Sequence, residues 1–238
     1  MPRTRHLKET VLAALATSLS TDAALACLEP LPAAALIGPL LSALLSPVPL
    51  VRWRAVAALG RSVARLAEAR LEDGRNVVRR FMWSLNEESG AVGWGVPEAM
   101  AETLARSEPL AREFSRILAS YIRDLDKDCT FIDHAPLRRG AYWGLARLAQ
   151  VRPELAVPAV PDLVTGLGDG DPESRGYCAL ALERLAPPST PAMLAALEAL
   201  FDDPYRFDLF FDGAFFPIGV SDLAHRAYER LASPGDTP

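Results

Sequence analysis

Two stretches concentrate side chains able to do chemistry. Residues 83–98 read Trp-Ser-Leu-Asn-Glu-Glu-Ser-Gly-Ala-Val-Gly-Trp-Gly-Val-Pro-Glu, which sets two tryptophans and three acids among three glycines. Residues 133–143 begin Asp-His-Ala-Pro-Leu-Arg-Arg-Gly and end at Trp143. Carboxylates, a guanidinium and flat aromatic surface are the means of holding a peptide or a small polar ligand. The candidate binding residues are therefore Asn86, Glu87, Trp94, Glu98, His134, Arg138 and Trp143. Trp94 and Glu98 stand four apart, so on a helix they share one face.

No catalytic constellation emerges. Asp124-x-Asp126-x-Asp128 begins like a calcium loop, but Cys129 takes the place of the turn glycine and Ala135 that of the bidentate glutamate. The glycines at 90, 93 and 95 lack the Lys-Ser/Thr of a phosphate loop. The chain has three histidines and no His-Glu-x-x-His, and His134 with Asp133 and Glu87 is the most that spacing offers a metal. No serine stands in a Gly-x-Ser-x-Gly context. The expectation is a protein with no catalytic residues, metal or cofactor.

Composition narrows the partner. Half of the 238 residues are apolar, which is a globular composition. The net charge is −5, where a nucleic-acid binder usually shows a basic domain. One basic stretch breaks that picture: Arg52, Arg54, Arg61, Arg65, Arg70, Arg75, Arg79 and Arg80 face only Glu68, Glu72 and Asp73. It reads as a solvated face first and as a nucleic-acid surface second. Cys27, Cys129 and Cys178 are odd in number and widely spaced, which fits a reducing cytoplasm and no disulfide framework. Arg3, Arg5 and Lys8 precede an apolar stretch, but Glu9 and Asp22 interrupt the pattern of a leader. Residues 30–51 carry no charge, yet their five prolines predict helix ends and a buried hairpin instead of a membrane span.

The elements that must position these residues are repeats. Val51-Arg52-Trp53-Arg54-Ala55-Val56-Ala57-Ala58-Leu59-Gly60 recurs in looser form at residues 92–101, 137–146, 174–183 and 221–229. The aligned anchors are Leu59, Met100, Leu145, Leu182 and Tyr228, and small neighbours (Ala58, Ala99, Gly144, Ala181) allow close helix approach. Second helices are expected at Pro32–Leu45, Leu110–Ile122, Leu155–Gly166 and Pro191–Phe201, with prolines near their starts, where a missing N–H costs little. Phe207–Ile218 breaks the pattern. Phe-rich runs around Asp212-Gly213 predict a β-hairpin between the helices of the last repeat, covering the open end of its core.

The copies resemble the HEAT repeat, most closely the short form first noted in phycobilin-lyase-related proteins, whose pattern Val-Arg-x-x-Ala-x-x-x-Leu-Gly residues 51–60 match. The two unusual stretches resemble motifs of a bacterial group of HEAT-like proteins with no established activity. The expected fold is all-α: an α–α superhelix, a HEAT-like solenoid of about five helical hairpins, with a small β-hairpin near the C-terminus. It is read as one domain over 1–238, with a divergent hairpin at 5–45, repeats over 46–232 and a flexible tail at 233–238. The resemblance implies that the helices carrying the candidate residues line a concave face, which suits a protein or peptide partner. It also implies a plainer role, because Arg52, Arg138 and Arg175 occupy the position where an arginine commonly ties repeats together. On that view Trp94 and Trp143 fill the core, and Asn86 caps a helix. A ligand-holding or lyase-type protein with Cys129 or His134 at its site, and nucleic-acid binding through Arg52–Arg80, are the alternatives.

Overall fold

The structure is a computed structural model that describes residues 2–85, 93–125 and 130–233; Asn86, Glu87 and Cys129 lie outside them. The chain divides into two compact units, residues 1–113 with 210–215 and residues 114–209 with 216–238.

The first unit contains α1 (Pro2–Thr17), α2 (Thr21–Leu28), α3 (Ala33–Ala43), α4 (Pro49–Ala69), α5 (Leu71–Leu85), α6 (Val96–Arg106) and the start of α7 (Glu108–Ser120). Helix α4 packs against α3, α5 and α6, and from Val51 to Gly60 only Arg52 escapes full burial. Burial on nearly every side explains why this copy is the most Ala-rich, since small side chains let several neighbours approach one helix. At Gly60 a Cβ would stand 2.8 Å from the backbone carbonyl carbon of Glu102, so α4 and α6 touch main chain to main chain.

Two expectations fail in this unit for physical reasons. Pro39 does not end a helix but sits inside α3, where the lost backbone bond is tolerated in an eleven-residue element. The repeat pattern also supplies no second helix between the first two copies, whereas α5 lies there. Its buried stripe is Gly74, Val78 and Phe81. The first position is glycine because a Cβ there would meet the Ala67 methyl at 2.6 Å, and that glycine hides the stripe.

The second unit contains α8 (Ala135–Val151), α9 (Pro153–Ala156), a 3-10 turn (Val157–Ala159), α10 (Val160–Gly166), α11 (Pro172–Leu185), α12 (Pro191–Glu198), β1 (Arg206–Phe211), β2 (Ala214–Gly219) and α13 (Val220–Ala232); the tip of the β-hairpin, residues 210–215, counts with the first unit. Helix α11 packs against α8 and α13, while α10 packs on α11 and α12 on α13. The helix expected over Leu155–Gly166 is broken in two, since Pro158 and Pro161 remove backbone donors within one turn of each other. The anchors Leu59, Met100, Leu145 and Leu182 are 0% exposed. The fifth is displaced by one residue: Ala227, with Leu223 and Leu231, faces the core, and the Tyr228 ring lies edge-on to Phe201.

The β-hairpin forms between α12 and α13 as its sequence predicts. Asp212 (φ 48°) and Gly213 (φ 83°) both adopt positive φ, the requirement of a type I′ turn. Its base packs in the last repeat, with Phe207 edge-on to Tyr177 at 5.4 Å. Its tip does something the capping expectation does not include. Phe210 stacks on Trp53 of α4 at 5.0 Å, and the Thr21 hydroxyl donates to the Gly213 carbonyl at 2.6 Å.

Candidate functional site

The candidate residues fall into both units. In the first, Gly93-Trp94-Gly95-Val96 is a turn closed by the Val96 N–H donating to the Gly93 carbonyl at 3.0 Å. Gly95 has φ 73° and ψ 0°, the third position of a type II turn. The turn leaves Trp94 40% exposed. Glu98 is half-buried in the first turn of α6, where a carboxylate meets the positive end of the helix dipole.

In the second unit His134 is the exposed N-cap of α8. Trp143 is 3% exposed, so it is a core residue and offers no surface to a partner. Arg138 also departs from the role of an open binding group. Its Nε and Nη2 donate to the two oxygens of Asp169 at 2.9 and 3.2 Å. Its Nη1 donates to the carbonyls of Ile132 and Asp133 at 2.8 and 2.9 Å. The Phe131 ring lies 5.1 Å from its central carbon. Arg175, the same position of the next copy, repeats the arrangement with Asp203 and the carbonyls of Asp169 and Gly170. Arg139 pairs with Asp171 and Glu173, and Asp171 also caps α11 by accepting from the Ser174 N–H at 2.9 Å. Arg138 thus ties the start of α8 to the turn after α10, Arg139 ties it to the start of α11, and Arg175 ties the start of α11 to the turn after α12, which is the plainer role the position of Arg138 and Arg175 implied.

Beside Arg138 the second unit opens into a cleft of about 340 Å³. Asp124, Leu125 and Phe131 line one part of it, Arg138 and Tyr142 another, and Asp162, Thr165 and Asp169 a third. Arg123 holds Asp162 by two bonds of 3.0 Å. At its floor Gly166 has no room for a side chain, since a Cβ would meet Cys178 Sγ at 2.6 Å and the Tyr142 ring at 2.7 Å. Burial pushes the Tyr142 hydroxyl above the ordinary tyrosine range, with Cys178 and Asp169 adding to the effect. Burial likewise holds the Cys178 thiol well above its usual value. Neither group is thereby poised as a nucleophile near neutral pH. Among the described residues no cluster of three or more His, Cys, Asp or Glu side chains is arranged to hold a metal ion. Sequence spacing had no means of finding this cleft, because its walls come from three separated segments.

Most arginines of the basic stretch have partners within the unit. Arg54 is buried and donates to the Leu15 carbonyl. Arg61 and Arg65 pair with Glu29, Arg70 with Asp73, Arg75 with Glu72 and Glu113, and Arg79 with Glu72.

Residues 135–185, from α8 to α11, match the HEAT-like repeat family. Among curated proteins none matches the chain. Solved structures of designed repeat proteins share the fold. An engineered protein aligns with a TM-score of 0.61 at 15% identity, covering 97% of this chain and 92% of its own. A designed armadillo repeat protein aligns at 0.52 and 18%, covering 96% and 91%. Another, solved in complex with the peptide (KR)4, aligns at 0.54 and 17%, covering 96% and 91%. The protein is thus a helical-repeat protein of the α–α superhelix class with a small β-hairpin near its C-terminus. Among the described residues no helix is long and apolar enough to cross a membrane.

Proposed function

We propose that the protein is a non-catalytic scaffold that binds a protein or peptide, with Trp94 and Glu98 as the candidate surface of the first unit and, taken by itself, His134 and the cleft beside Arg138 as that of the second. The observation that carries this reading is the cleft: an open recess with mixed apolar and polar walls, on a fold of which designed members are made for peptide recognition. Repeat folds offer extended surfaces to extended ligands. Within the HEAT-like class we place the chain with the short phycobilin-lyase-type repeats, on residues 51–60, and with the bacterial group its two unusual stretches resemble. We assign it to a reducing cytoplasm, where an exposed Cys27 and a buried Cys178 would both stay free.

Panning a displayed library of random peptides against the immobilised protein tests the proposal. Enriched peptides should bind the protein in solution, and Trp94→Ala or Thr165→Trp should weaken them about tenfold or more. A library that yields no peptide above background, or peptides indifferent to both substitutions, overturns it.

A further inference from the structure

We infer that the cleft of the second unit is a socket for one arginine side chain of the peptide; this rests on the scaffold reading above. A volume of about 340 Å³ lies at the small end of ligand pockets, which span roughly 300–1,000 Å³. It suits one long side chain better than a cofactor.

The unused hydrogen-bonding capacity selects which side chain. Arg138 directs its Nε, Nη1 and Nη2 to Asp169 and two backbone carbonyls, so it offers little to an anion. Asp162 receives both bonds from Arg123 on Oδ2, and among the described residues no donor reaches its Oδ1. The Thr165 hydroxyl donates to the Pro161 carbonyl, which leaves its lone pairs to accept. Asp124 adds an exposed carboxylate. Acceptors of this kind fit a group that only donates, and the guanidinium has five N–H donors in a fixed planar fork. Exposed Leu125 gives the aliphatic stem an apolar wall.

Charge agrees. Residues 114–209 and 216–238 hold seventeen acids against twelve lysines and arginines, while the first unit holds thirteen of each. The whole net charge of −5 therefore belongs to the unit with the cleft, and its field draws a cation inward.

The test is an NMR titration of the full-length protein with N-acetyl-arginine amide and, separately, N-acetyl-citrulline amide, which keeps shape and planarity without charge. The expected result is saturating shifts at the Thr165, Gly166 and Gly168 amides with the arginine probe. The citrulline probe should bind about tenfold more weakly or worse, as should the arginine probe to Asp162→Asn. Thr165→Trp, which fills the cleft, should abolish the response. Equal response to both probes, shifts that map elsewhere, or a Thr165→Trp protein that still responds would overturn the socket. Panned peptides that bind while the arginine probe leaves these amides unmoved would remove the socket and keep the scaffold. A saturating probe with no peptide binding more tightly than the probe would do the reverse.

Discussion

The two units join their helical hairpins by different means. In the first, the helices meet directly: glycine at 60 brings α4 against the backbone of α6, and glycine at 74 brings α5 against Ala67. The pair at that contact, Glu102 with Arg106, lies within α6, and the pair that joins α5 to α7, Arg75 with Glu113, has both side chains about a third exposed. In the second, the ties are ionic and largely buried. Arg138 is 12% and Asp169 7% exposed, and Arg175 with Asp203 repeats the pair one copy later. Arg52 holds the same repeat position in the first unit, and among the described residues no carboxylate ties it. One repeat position therefore does different work in different copies. A shape-based joint tolerates loss of charge and not gain of volume, and a charge-based joint behaves the opposite way.

The sharpest way to break that comparison is to remove one arginine from each unit. Arg138→Ala leaves the buried Asp169 carboxylate and two carbonyls without their donor, and stranding one partner of a buried pair costs about 3–5 kcal/mol. Removing both partners with Arg138→Met and Asp169→Leu should cost less than the single change. Arg75→Ala should leave the unfolding midpoint within error, because exposed pairs contribute little. Denaturant unfolding, with hydrogen exchange to assign the loss to a unit, decides it. Equal losses from Arg138→Ala and Arg75→Ala would erase the distinction.

Added volume gives the converse test. Gly60→Ala pushes a methyl against Glu102 main chain, which cannot turn aside, and should cost about 3 kcal/mol, the upper part of the overpacking range. Gly166→Ala meets the Cys178 and Tyr142 side chains instead, which can shift, and should cost about 1–2 kcal/mol. Exchange protection should fall in α4 and α6 for the first and in α10 and α11 for the second.

Acid separates the units through salt. Burial works against the charged form of Asp171, but the hydrogen bond from Arg139 and those from Ser174 outweigh it and hold the carboxyl below the usual aspartate range. Glu72 is lowered by hydrogen bonds from Arg79 and Arg75, and Glu113 by one from Arg75. In each case the unfolded chain binds the proton more tightly. The contribution to stability is therefore complete above the ordinary carboxylate pKa of about 4 and is lost as pH falls through the lowered value. At 1 M salt, with a screening length of about 3 Å, the exposed Glu72 and Glu113 part should vanish and the Asp171 part persist. Asp171→Asn should flatten the acid limb of exchange in α11; an unchanged limb would show that the pair carries no linkage.

Much of this contrast was out of reach of the residues alone. Four of the five anchors were legible because Leu or Met beside Ala or Gly at a helical spacing has few other uses, and the hairpin because Asp-Gly between Phe-rich runs demands a type I′ turn. Helix α5 was not, since its stripe begins with a glycine. The arginine position of Arg138 was legible, but its partner stands 31 residues away, a separation set by packing and not by any local pattern. For the candidate site, the unusual Gly-Trp-Gly was visible and its turn geometry was not. Trp143 carries both a binding and a core reading in the sequence, and only the packed structure decides for the core. The cleft has no sequence signature, because each wall comes from a different element.

Backbone strain supplies the smallest difference between the units. Ala186 ends α11 at φ 41° and ψ 51°, left-handed values that cost an L-residue with a Cβ roughly 1–2 kcal/mol. Asp212, at φ 48° in the hairpin tip of the first unit, is of a type that enters this region more readily because its short polar side chain bonds locally. Ala186→Gly should therefore raise stability by about 1 kcal/mol, reduced somewhat by the greater freedom glycine gives the unfolded chain. Asp212→Gly should change it by no more than a few tenths of a kcal/mol. Paired thermal melts read the difference: equal gains at both positions would mean that the αL cost is set by the backbone alone, whereas a gain confined to Ala186 would show the aspartate side chain relieving its own strain.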